Sequence, residues 1–266
     1  MADKGANKEK NKKRANIFIA VCIVIVIACI VYIGMYFFRQ HNQADKYDEL
    51  KQKAHDTESV STEPAETQTE SKLNNPIDFK ALQAENPDIY AWISIPGVQT
   101  EYPICQSATD DTYYLNYTVD GTYGLPGSIY TESLNSKDFS DFDTVIYGHH
   151  MKNGTMFGSL HKFRDAEFMK QNPNIYIYTP DCIRTYEIFA AVTYSDDHLL
   201  RTFDFTNESD RQKYLDSIKQ IRDMNSPVRD DVDVTTDSKI ITLSTCIGGQ
   251  PDNRLLIEAV LVDEQK

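Results

Sequence analysis

From residue 17 to residue 38 the chain runs for 22 residues without a charge, with Ile23, Val24, Ile25, Val26 and Ile27 in unbroken succession. As a helix rising 1.5 Å per residue, that run is long enough to cross the roughly 30 Å hydrocarbon core of a bilayer. Lys8, Lys10, Lys12, Lys13 and Arg14 stand just before it. The positive-inside bias therefore keeps residues 1–16 in the cytoplasm and sends everything after residue 38 outward. A cleaved leader would have a shorter apolar region, about 7–15 residues, followed by a small-residue cleavage site. Neither feature is present, so residues 17–38 read as an uncleaved signal-anchor helix in a single-pass protein of the cell membrane.

Residues 1–40 hold seven Lys or Arg against two Asp or Glu, so of the chain's net −13 the remainder carries −18. Such an acidic exterior argues against a nucleic-acid partner, which selects a basic face. Of five cysteines, Cys22 and Cys29 lie in the apolar run and act there as small apolar residues. Cys105, Cys182 and Cys246 remain outside, and an odd number in an exported domain leaves at least one thiol unpaired.

Residues 39–73 are polar and rich in Glu, Thr, Gln and Ser, too poor in apolar side chains to build a core, and read as a stalk with a short helix near 47–55. Residues 74–266 form one domain-sized block. Short β-rich runs recur in it at 90–95, 128–130, 144–147, 175–178, 185–194, 239–245 and 255–262, which suggests a mainly β barrel or sandwich. Helical spacing of Tyr214, Leu215, Ile218 and Ile221 predicts a helix over 209–224, closed by Pro227, and a smaller one covers 78–85. Full helices so rarely separate the strands that a βαβ fold is disfavoured.

In the strand 239–246, Ile241 and Leu243 share one face while Thr242, Ser244 and Cys246 share the other. Gly248 and Gly249 follow. A cysteine held at a strand end beside a glycine loop is placed as a nucleophile, because a rigid element aims it and the loop leaves room for substrate. Its thiol, with an ordinary pKa of about 8.5, needs a base or cation nearby. His149 is the candidate, projecting where Gly148 turns the chain at the end of strand 144–147, whereas His55, His161 and His198 have no comparable setting. Arg254 opens the strand after the cysteine strand; short connections usually join paired strands, which brings it near Cys246 as a hydrogen-bond donor to an oxyanion.

These residues resemble a known family. The stretch from Tyr147 through Gly148, His149 and His150 to Phe157, then Thr242 to Cys246 and Arg254, is similar to the class B sortases. The likeness extends to residues 86–96 and to the helix at 209–224. It implies an eight-stranded closed β-barrel with peripheral helices and a cysteine transpeptidase of the Gram-positive cell surface. Cys246 would cleave an NP-x-T-x-like sorting motif of a secreted protein after its threonine, forming a thioacyl-enzyme. An amino group of peptidoglycan or its lipid-linked precursor would resolve it. His149 would serve as acid and base, Arg254 would hold substrate and oxyanion, and the active form would pair thiolate with imidazolium. Leu115, Ser195, Leu199, Leu200 and Ser244 align with the substrate groove, while Asp111 and Ile247 depart from the family pattern.

No cofactor or metal is expected. His149 and His150 point to opposite faces of an extended chain with no third ligand at useful spacing, and Asp230, Asp231 and Asp233 lack a calcium-loop pattern. Two rivals remain: a membrane-tethered thiol protease that hydrolyses the same bond, and a surface binding module with no chemistry. A papain-like chain order places the cysteine before the histidine and at a helix start, the reverse of what stands here.

Overall fold

The computed structural model describes residues 3–55 and 73–266. Of the stalk expected over 39–73, residues 56–72 lie outside the described residues, while residues 39–55 are helical. Helix α1 spans Asp3–His55. Within the first of two units, Met1–Tyr47, it holds an apolar stretch Asn16–Met35 of mean hydropathy 3.2, long enough to cross a membrane and with none of its residues buried by protein.

The second unit, Asp48–Lys266, takes in the last turns of α1, residues 48–55. Leu50 and Ala54 are buried there, the Ala54 carbonyl accepts the Asp78 N–H, and Lys53 pairs with Glu85. This segment packs as part of the domain because its apolar positions recur four residues apart on one helix face. Helix α2, Phe79–Glu85, follows, with the Asp78 carboxylate accepting from the Ala81 N–H at its start.

The barrel then assembles from β1, Ile89–Ile95; β2, Thr100–Cys105; β3, Ile129–Tyr130; β4, Asp143–Tyr147; β5, Asn174–Thr179; β6, Cys182–Ser195; β7, Ile240–Ile247; and β8, Gln250–Gln265. It closes in the order β1-β2-β3-β4-β7-β8-β6-β5. The β2–β3 and β4–β7 pairs are parallel and the others antiparallel. Short helices α3, Tyr113–Asn116, α4, Ala166–Gln171, and α5, Leu199–Thr202, punctuate the loops, and α6, Glu208–Gln220, lies between β6 and β7.

Seven strands of the eight match expected runs; β2 was not expected, since Pro103 lies inside it. On β2 only Ile104 and Cys105 pair with β3, so on that side β2 is an open edge at Pro103, where a missing N–H is tolerated. Helix α6 ends four residues earlier than expected. The Arg222 guanidinium turns back onto the Lys219 and Ile221 carbonyls, and Ser226 bonds Asp223, so the chain after Ile221 makes its own turn before Pro227.

The three strands β4, β7 and β8 fix everything that follows. Ile241 pairs with Ala259 and Leu243 with Ile257, and all four are fully buried on one face. The opposite face carries the cross-strand pairs Thr242–Glu258, Ser244–Leu256 and Cys246–Arg254 in rising order. Helix α6 covers the lower part of that face with Tyr214, Leu215 and Ile218, in a core shared with Val145, Leu199 and Leu256. Beyond Ser244 the cover ends and the face opens.

Candidate active site

Cys246 is the one exposed residue between buried neighbours on β7, and it stands directly across from Arg254. Cys105 and Cys182 are buried, and burial pushes both thiols above the ordinary range. That difference matches chemistry to place, since a buried thiol is inert and an exposed one at a strand end can reach a substrate.

His149 follows β4 after Gly148, whose N–H continues the ladder by donating to the Ser244 carbonyl at 3.2 Å. Gly148 is needed for space rather than for a left-handed turn: a Cβ there would lie 2.5 Å from Ile129 Cδ1 and 2.6 Å from Phe157 Cδ2. The His149 Nε2 lies 2.7 Å from the Leu115 carbonyl oxygen. A carbonyl only accepts, so Nε2 carries a hydrogen and Nδ1 is the nitrogen left to gain or lose a proton. His150, on the other side of the chain, stacks on His161 with ring centroids 4.1 Å apart.

Gly127 makes the His149–Leu115 contact possible. It sits at φ +63°, and a Cβ would fall 2.7 Å from the Leu115 oxygen and 3.1 Å from His149 Cδ2. Gly127→Ala is expected to push that carbonyl off the imidazole and lower kcat on a sorting peptide about 10- to 100-fold, the scale of a 1 Å misplacement. A variant with unchanged kcat would show that this carbonyl does not orient the ring.

Arg254 donates from Nη1 to the Pro251 and Asn253 carbonyls at 2.8 and 2.9 Å, and its Nη2 is 3.7 Å from Asp196. These contacts hold the guanidinium on the rim. Cys246, His149 and Arg254 line one cavity of about 340 Å³, together with Leu115, Tyr130, Tyr147, Ser195, His198, Leu199 and Ser244. Of the expected groove residues, Leu115, Ser195, Leu199 and Ser244 are thus on its wall. Leu200 is not: it packs on the core beside α6 and faces a separate recess with Leu134, Phe203 and Phe205, because the helical turn of α5 sends successive side chains different ways.

Two histidines that sequence spacing set aside reach the site from afar. His198 lines the cavity with Nε2 2.7 Å from Glu132 Oε2, a contact across 66 residues. The His161 Nε2 lies 3.1 Å from the carbonyl oxygen of Cys246 itself, across 85 residues. The pairing of β4 with β7 brings His161 there, and the curl of the sheet from β3 to β6 brings His198; the one local hint is that His198 immediately precedes the groove residue Leu199. His55 lies elsewhere, edge-on to Trp92. Asp111 accepts from the Ser133 N–H at 2.7 Å, which holds its carboxyl below the usual range.

Beneath the groove, Thr242 Oγ1 lies 3.0–3.2 Å from both carboxylate oxygens of Asp143 and of Glu258, and the Tyr214 hydroxyl donates to Glu258 at 2.8 Å. Burial pushes Glu258 up to about 7, and burial followed by the Glu258 charge pushes Asp143 well up. Two hydroxyl hydrogens face four carboxylate oxygens, so a proton held between the acids relieves both repulsion and an unmet acceptor. Among the described residues no three His, Cys, Asp or Glu side chains converge as metal ligands.

The sortase family model, described as Sortase domain, matches residues 93–262. Sortase B of Listeria monocytogenes is 33% identical over 193 residues, covering 72% of this chain and 75% of that protein. Among solved structures, sortase B from B. anthracis in complex with AAEK1 superposes with a TM-score of 0.67 at 30% identity, covering 85% of this chain and 99% of that one. The Staphylococcus aureus sortase B–substrate complex gives 0.61 at 30% identity, covering 70% and 84%.

Proposed function

Because this chain belongs to the sortase family, in its class B, and is thereby a cysteine transpeptidase, we propose that it joins secreted proteins to peptidoglycan from the outer face of the cytoplasmic membrane. Cys246 Sγ attacks the threonine carbonyl in an NP-x-T-x-like C-terminal sorting motif. The C–N bond breaks, the His149 imidazolium protonates the departing amine, and a thioacyl-enzyme remains. An amino group of peptidoglycan or its lipid-linked precursor then attacks, His149 takes its proton, and the thiolate leaves. Arg254 donates hydrogen bonds to the oxyanion in both steps.

The meeting of Cys246, His149 and Arg254 in one open cavity supports this reading most. The Staphylococcus aureus relative was solved with a substrate, which favours a peptide in the same groove here. The apolar stretch Asn16–Met35 supports tethering, with the basic N-terminus inside and the barrel outside. Incubating the folded ectodomain with fluorogenic sorting peptides, with and without glycine or diaminopimelate-type amines, tests the proposal. Cleavage whose product gains the amine is expected; no cleavage of any peptide by folded protein would sink it.

A further inference from the structure

Reading Cys246 as the nucleophile leaves open what fixes its backbone. The β7–β8 ladder is regular up to the pair Cys246–Arg254, then shifts register before Ile247–Gln250 and turns through Gly248 and Gly249, the latter at φ +77°. The last rigid pair of the hairpin is therefore the one that bears the thiol, and guidance from the ladder weakens just beyond it.

His161 reaches this point from a 3-10 segment, Gly158–Arg164, between β4 and α4. Its Nε2 lies 3.1 Å from the Cys246 carbonyl oxygen, and since that oxygen only accepts, Nε2 carries the hydrogen. Partial burial first, and then the neighbouring His150 and Arg164 charges, hold the His161 pKa below its ordinary value, against the pull of the carbonyl. At neutral pH the ring is thus neutral, in the Nε2–H tautomer that the bond requires. The His150 ring, stacked on it at 29°, braces its plane.

Resting on the transpeptidase reading, we propose that His161 is a positioning residue for the reaction: its Nε2–H holds the Cys246 carbonyl and thereby sets the direction from which Sγ meets the scissile carbonyl. A planar trans peptide makes this effective, since fixing the carbonyl also fixes the Ile247 N–H on the opposite side. The bond ties the nucleophile's backbone to the strand connection that follows His149 and His150. Acid–base partner and nucleophile are then held from one segment.

Two measurements test it. In His161→Phe the ring still stacks on His150 but cannot donate, while His161→Gln restores an N–H. The expected result is a kcat on a sorting peptide about tenfold lower in the Phe variant with KM within about twofold, and recovery of most of that loss in the Gln variant. An unchanged kcat in His161→Phe, or an equal loss in both variants, would overturn the proposal. Independently of turnover, nitrogen-15 NMR of the wild-type ectodomain at neutral pH should show His161 as the Nε2–H tautomer; an Nδ1–H tautomer removes the donor and the proposal with it. If wild-type protein cleaves no peptide, the transpeptidase reading fails, and the tautomer still decides whether the bond exists.

Discussion

Cys246→Ala is expected to lower transpeptidation by at least about a thousandfold while shifting the melting temperature of the ectodomain by no more than about 2 °C. The two halves of this expectation come from the same fact. The side chain is exposed at the end of β7, so its removal opens no cavity, and exposed substitutions usually change stability by within about 0.5 kcal/mol. The thiol is nonetheless the only group proposed to form the covalent bond, and loss of a nucleophile leaves only the residual rate that binding and oxyanion donors supply. Cys105 and Cys182 provide the contrast. Both are buried with thiols pushed up, so a thiol reagent acting on the native ectodomain should label Cys246 and spare them. A Cys246→Ala protein that melts normally and still turns over would remove the covalent mechanism.

The second large effect lies under the groove. Glu258 is raised from 4.5 to about 7 by burial, so the folded chain keeps a proton that the unfolded chain releases between those values. Unfolding in that window is accompanied by proton loss, and stability contributed by this group is full below about 4.5, falls as pH rises towards about 7, and is flat above. Integrated over the window, the shift is worth on the order of 3 kcal/mol. Asp111, Asp138 and Glu264, whose carboxyls are held low by hydrogen bonds and cations, act in the opposite sense and lose their contribution only at more acid pH. Glu258→Gln keeps an acceptor for the Tyr214 hydroxyl and removes the titrating group. Its melting temperature should therefore decline less than that of the wild type between pH 5 and pH 8. Parallel curves for the two proteins would mean that Glu258 does not carry the proton. Thr242 and Glu258 sit four residues from Cys246 and Arg254 on the same strands and the same face, so this measurement also reports on the foundation of the site.

How much of this was legible in the sequence follows from how local each signal is. The alternation over 239–246 announced β7 and its two faces, and the short connection to β8 correctly paired Cys246 with Arg254. Strand β2 escaped because Pro103 masks its pattern, and its tolerance depends on how little of β3 pairs beside it, which is a tertiary fact. Gly148 was read as a turn, but its reason is contact with Ile129 and Phe157. The expected groove residue Leu200 turned away with its helix. His161 and His198 were missed because their partners, the Cys246 carbonyl and Glu132, lie 85 and 66 residues distant. The buried acids were hidden for the same cause: Asp143, Thr242 and Glu258 look like ordinary polar positions until three strands and Tyr214 close around them.

Covalent chemistry at Cys246 can be read by intact-mass analysis of the ectodomain mixed with a sorting peptide and quenched in acid. Thioacyl transfer through Cys246 predicts a transient adduct there with the mass of the peptide up to its threonine, decaying faster when an amine acceptor is added and yielding the amide-linked product. An adduct that never forms while peptide is consumed, an adduct retained in Cys246→Ala, or decay to free acid at a rate indifferent to amine would contradict it.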